Sequence, residues 1–133
     1  MIRINLITVG KLKEKYWRDA AAEYSKRLGA FCKLEIVELN ESRLSDNPSE
    51  KEIAAALENE AKAMKGYTDI KGAYNIAMCI EGKQLTSPGL AEKLEQAAQG
   101  GDSGAVTFLI GSSYGLTPAV KQRAQLRLSM SAM

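Results

Sequence analysis

Three short segments hold the residue types that could do chemistry. Gly111-Ser112-Ser113-Tyr114-Gly115 follows an apolar run and brackets two hydroxyls and a tyrosine between glycines, which let backbone approach a ligand closely. Met78-Cys79-Ile80-Glu81-Gly82-Lys83 offers Glu81 as an acid and Lys83 as a phosphate ligand, or equally a solvated ion pair at a loop edge. Lys11, Lys13, Lys15 and Arg18 form the densest basic cluster, interleaved with Tyr16 and Trp17, a mixture that suits a nucleic-acid backbone and an unstacked base. The plainer reading of that cluster is a solvated first helical turn with its aromatic rings packed inward. Neither GxGxxG nor GxxxxGK[ST] occurs, so no nucleotide fingerprint is present. The 133 residues contain no histidine, which excludes Ser-His-Asp and Cys-His nucleophiles, histidine metal sites and the usual base near neutral pH.

The rest of the composition is that of one globular domain. The apolar fraction is 45%, the charged fraction 26% and the net charge +2. A protein gripping bare duplex through many phosphates carries more positive charge, so an RNA partner would be read partly by shape. No apolar run spans a bilayer and the N-terminus is not a signal peptide, so a cytoplasmic chain without a membrane partner is expected. Cys32 and Cys79 lack CxxC spacing and read as reduced, buried thiols.

The elements that must position these segments alternate. Ile2 to Val9, Cys32 to Leu39, Tyr74 to Ile80, Ala105 to Ile110 and Gln125 to Met130 read as strands. Between them lie four helices. The first has a face of Tyr16, Ala20, Tyr24 and Leu28, and stops at Gly29. The second opens on a capping box, Ser49 and Glu52, turns Ile53, Leu57, Ala61 and Met64 to one side, and closes at Gly66. The third begins with Ser87-Pro88 as cap and first residue and buries Leu90, Leu94 and Ala97. The fourth begins with Thr117-Pro118 and runs to Ala124. The order β-α-β-α-β-α-β-α-β predicts a single-domain α/β sandwich around a mainly parallel five-stranded sheet. In such sheets ligands gather beyond the carboxyl ends of the strands. That places Met78, Gly111 and Met130 around one cleft.

Taken together, VGKLKEKYW, AAEYSKRLG, IEGKQLTSPGLAE, FLIGSSYGL and LRLSMSAM resemble the ribosomal RNA large-subunit methyltransferase H family of the SPOUT superfamily, in register from residue 1 to 133. The resemblance implies a homodimeric enzyme that uses S-adenosylmethionine to methylate N3 of a pseudouridine in 23S ribosomal RNA on the assembled 70S ribosome. It implies cofactor contacts at Met78, at Gly111, and at Met130, Ser131, Ala132 and Met133, which match the start of the loop that wraps the donor. Catalytic residues are not assigned and no metal is expected. The family carries a second glycine where this chain has Ser112. Family members also continue past the position of Met133 with a Thr-Phe-Pro-His-like segment, a long helix and a basic tail. A domain of residues 1–133 lacking them is expected to be unknotted, to bind the donor weakly or not at all, and to transfer little. The rival reading from another class is a non-catalytic remnant or interaction domain; a flavodoxin-like nucleotide module is a weaker third.

Overall fold

The computed structural model describes residues 2–70, 72–100 and 105–131. Its elements are β1 (Ile2–Val9), α1 (Lys15–Leu28), β2 (Cys32–Leu39), α2 (Glu50–Thr68), β3 (Tyr74–Gln84), α3 (Ser87–Gly100), β4 (Ala105–Ile110), α4 (Pro118–Arg123) and β5 (Leu126–Ser129). The sheet order is β2-β1-β4-β3-β5 and every pairing is parallel. The expected α/β sandwich is therefore present. The apolar runs of β1 and β4 are explained by their inner places, where both faces are covered.

Two cores flank the sheet. On one face Ile7, Val9, Ala77 and Leu109 pack with Met64 and Tyr67 of α2 and Val120 of α4. On the other Ile76, Val106, Leu126 and Leu128 pack with Leu90, Leu94 and Ala97 of α3. A polar row crosses the first face: the register sets Asn5 and Asn75 on either side of Thr107, and all three are buried. Burying a hydroxyl with no partner costs about 1–3 kcal/mol, and neither the Thr107 hydroxyl nor the Asn75 side-chain oxygen has one among the described residues.

Several local expectations are corrected. The α1 stripe is not packed inward: Tyr16, Trp17 and Tyr24 are each more than half exposed and no α1 residue is buried. The small residues Ala21, Ala22 and Ser25 instead line the side towards the sheet. Gly66 does not end α2, which runs on to Thr68 because the capping box and Met64 anchor the helix more strongly than one glycine weakens it. At α3 the cap is Thr86, whose hydroxyl accepts the Gly89 N–H at 3.0 Å, one residue before the expected Ser87. β3 continues to Gln84. Leu128 pairs with both Met78 and Lys83, so Cys79 to Gly82 form a bulge within the strand rather than a loop beyond it.

Candidate functional site

The site is built where parallel strands end together. β1 and β4 are neighbours with Thr8 opposite Ile110, so the turn after β1 at Gly10 lies beside the turn after β4 at Gly111. A cleft of about 660 Å³ opens there between α1 and the ends of β2, β1 and β4. Lys11, Lys13 and Arg18 line one wall, and Gly111, Ser112 and Ser113 line another. Two groups of residues separated by about a hundred positions in sequence thus share one cavity.

Each wall has a local cause. Gly10 adopts φ +95°, a left-handed conformation that glycine takes without strain, and its N–H donates to the Leu39 carbonyl at 2.8 Å. That turn throws Lys11 to Lys13 across the strand ends. The Arg18 guanidinium then reaches back from α1 to the Lys13 carbonyl at 3.3 Å and holds the segment down. On the opposite wall the Gly115 N–H donates to the Ser112 carbonyl at 2.8 Å, and the turn closes so tightly that a side chain at Gly111 has no room. An ideal Cβ there would stand 2.4 Å from the Gly115 oxygen. Gly111 is thus required by the turn itself.

The segment that supplies one wall of the cleft, with Lys11, Lys13 and Arg18, is the basic part of the sequence. Residues 11–28 contain six basic and three acidic residues, whereas the whole chain is only +2. Lys15 stands 3.9 Å from Asp19 on the exposed side of α1 and does not line the cleft. Lys11 and Lys13 have no acidic partner among the described residues. Around them Leu12, Ile36 and Ile110 remain more than a third exposed, so the rim is apolar as well as basic.

Met78, Met130 and Ser131 occupy the other half of the same sheet edge. Met78 is half-buried in β3 against the α3-side core and pairs with Leu128. Met130 follows β5 with its side chain 79% exposed, and the Ser131 carbonyl accepts from the Ser129 hydroxyl at 2.8 Å. None of the three lines the cleft that holds Gly111. Ala132 and Met133 lie outside the described residues.

Glu81 and Lys83 sit on or beside the β3 bulge, and Glu81 pairs with Lys121 of α4. That hydrogen bond holds the Glu81 carboxyl below the usual carboxylate range. Burial, followed by the nearby Glu81 charge, pushes the Cys79 thiol up. The described residues contain no cluster of three or more side chains suited to a metal ion, and no helix among them is long and apolar enough to cross a membrane.

Three features of the site escape the sequence reading. Glu38 and Glu41 also line the cleft. Gly82 presses on β5 so closely that a Cβ would meet the Arg127 and Leu128 backbone at 2.8 Å. The sequence signal for that contact was a glycine inside an otherwise strand-like IEGKQ.

An all-parallel sheet with helices on both faces, and with a cleft and a tight glycine turn at its carboxyl edge, defines an α/β protein of the doubly wound kind. Comparison with known proteins narrows this to one family. Residues 2–133 match the family described as "Predicted SPOUT methyltransferase". Relatives named "Ribosomal RNA large subunit methyltransferase H" include one from Streptococcus thermophilus, 46% identical over 132 residues, covering 99% of this chain and 82% of the relative. Another, from Bifidobacterium adolescentis, is 47% identical over 136 residues, and a third, from Clostridium beijerinckii, is 44% identical over 133, both with the same coverage. The chain belongs to the SPOUT methyltransferase family.

Proposed function

We propose that this methyltransferase takes its methyl group from S-adenosylmethionine and places it on N3 of a pseudouridine in 23S ribosomal RNA, on the assembled ribosome in the cytoplasm, acting as a homodimer. The observation that carries the reading is the cleft joining Lys11, Lys13 and Arg18 to the Gly111 turn. It sets cations for an RNA backbone beside the turn that the family resemblance gives to the donor.

Residues along the ends of β4, β3 and β5 suit such a donor, beside rather than inside the cleft lined by the lysines. Its adenine needs apolar contacts and a few backbone groups to fix its polar edge. Met78 and Met130 supply flexible apolar surface on adjacent strands, and the Gly111–Gly115 turn presents backbone without side-chain bulk at Gly111. Met78, Gly111, Met130, Ser131, Ala132 and Met133 would hold it. When bound, the donor supplies an already activated methyl group on a sulfonium, so what remains for the protein is mainly positioning.

The chain's own residues then have distinct tasks. Lys11 and Lys13 neutralise phosphates flanking the target nucleotide. Arg18 keeps that basic segment in place through its carbonyl contacts. Tyr16 and Trp17, with ring centroids 5.4 Å apart and more than half exposed, offer faces on which bases can stack. Lys15 and the remainder of α1 add to the field that draws RNA to this side.

Isothermal titration tests the donor assignment. Protein expressed from the complete gene is expected to bind S-adenosylmethionine with micromolar affinity, and Met78→Ala to weaken it at least tenfold. Absence of binding would favour a non-catalytic interaction domain.

A further inference from the structure

We propose that Glu38 and Glu41 form the acceptor-base end of the cleft: they recognise the ring N–H of a uracil-type base and take its proton as the methyl group arrives. This inference rests on the rRNA methyltransferase reading above and adds to it the groups that handle the proton.

The placement carries the argument. Glu38 is the last residue but one of β2 and lies beside Thr8 of β1 in the register, and Thr8 faces Ile110 of β4, the residue before Gly111. Glu41 leans over the β1 turn, its Oε2 only 3.5 Å from where a Gly10 Cβ would stand. Both carboxylates line the cleft that contains Gly111 and Ser112. Neither has a hydrogen bond or ion pair within the protein among the described residues, unlike Glu60, which takes the Ser42 N–H at 3.1 Å. The charged groups sharing the cleft with them are Lys11, Lys13 and Arg18.

That arrangement complements an imide edge. A uracil-type base presents one N–H donor between two carbonyl acceptors. Ionised carboxylates accept only, so the pair takes the N–H and leaves the carbonyls to donors on the other wall, the Ser112 and Ser113 hydroxyls. A cytosine-type ring nitrogen carries no proton and would set its lone pair against a carboxylate, which disfavours it. The ring nitrogen gives its proton to a carboxylate oxygen and bonds to the methyl carbon. The carbon–sulfur bond breaks and its electron pair stays on sulfur. The positive sulfonium and negative carboxylate become a thioether, a carboxylic acid and a neutral methylated base. Carboxylates are the proton acceptors that this cleft offers.

The test uses protein from the complete gene and the variants E38Q, E41Q and E38Q/E41Q. Both carboxylates are exposed, so the glutamines leave the fold intact, checked by thermal melting. Binding is measured with stem-loop RNAs carrying a uridine or a cytidine at the target position. Wild type should prefer the uridine form by about tenfold, and the double variant should lose the preference. In single-turnover transfer the double variant should be slower by about 10²–10⁴-fold. Its rate should climb tenfold per pH unit from pH 6 to 9, as expected when only the ionised base reacts, whereas wild type should depend on pH far less. A double variant that keeps the base preference, and matches wild type in rate and pH profile, overturns the proposal and leaves the enzyme reading intact. Wild-type protein that neither binds nor methylates 70S ribosomes overturns the underlying reading as well.

Discussion

Replacing Gly111 by alanine tests whether the β4 turn is as tightly closed as the distances require. The added Cβ would lie 2.4 Å from the Gly115 oxygen, 2.6 Å from the Gly115 carbonyl carbon and 3.0 Å from Leu116 Cδ2. The first two neighbours are backbone, so no side chain can swing aside and the turn must open. Opening strains the 2.8 Å hydrogen bond from Gly115 to Ser112, worth about 1 kcal/mol. Overpacking adds about 1–3 kcal/mol, for a loss of about 2–4 kcal/mol. At about 2.1 cal/mol/K per residue the unfolding entropy of 133 residues is about 0.28 kcal/mol/K, so Tm should fall by about 7–14 °C. Gly66→Ala is the contrast. A Cβ there meets nothing within 4 Å, and alanine in a helix interior is worth about 0.5–1 kcal/mol, so that variant should melt about 2–4 °C higher. Differential scanning calorimetry of both variants decides it. A Gly111→Ala protein that melts within a degree of wild type would refute the reasoning.

Other expectations concern separate parts of the molecule. Replacing Lys11 and Lys13 by alanine should flatten the salt dependence of binding to ribosomal RNA by a slope of about 1.5–2; an unchanged slope in filter-binding titrations would move the RNA face elsewhere. Thr107→Val keeps the shape and removes a buried hydroxyl with no partner among the described residues, so denaturant unfolding should show stability unchanged or raised by about 1 kcal/mol. A loss of that size would mean the hydroxyl has a partner in solution. The raised Cys79 pKa leaves less thiolate at a given pH, so alkylation at pH 8 should be slower than for a free thiol. Glu81→Gln removes a charge that raises that pKa while Lys121 remains to lower it, and should speed the reaction; slower labelling would contradict the assigned cause.

The fold was legible where the signal is local. The Ser49–Glu52 capping box and the Thr117 cap both form as their spacing requires. The strands of continuous apolar residues occupy the inner positions. Periodicity failed at α1 because it shows that a helix face is distinctive, not which face meets the sheet. There the bulky stripe points outward and the small residues line the cleft. Thr86 lost to Ser87 in the reading because two adjacent hydroxyls before a proline look alike as caps. The Cys79–Gly82 bulge depends on Gly82 meeting the Arg127–Leu128 backbone, a contact between strands distant in sequence. Glu38 and Glu41 escaped for the same reason. Each looks like an ordinary exposed carboxylate until β1 is known to lie between β2 and β4.

Transfer of a tritium-labelled methyl group from S-adenosylmethionine to 70S ribosomes tests the central claim most directly. The particles should come from cells lacking the corresponding gene and the protein from the complete gene. The account predicts label in 23S ribosomal RNA alone, approaching one methyl group per particle, located by mass spectrometry at N3 of one pseudouridine and strongly reduced by replacing Lys11 and Lys13. Label on another RNA, or no label from a folded protein that binds the donor, would contradict it.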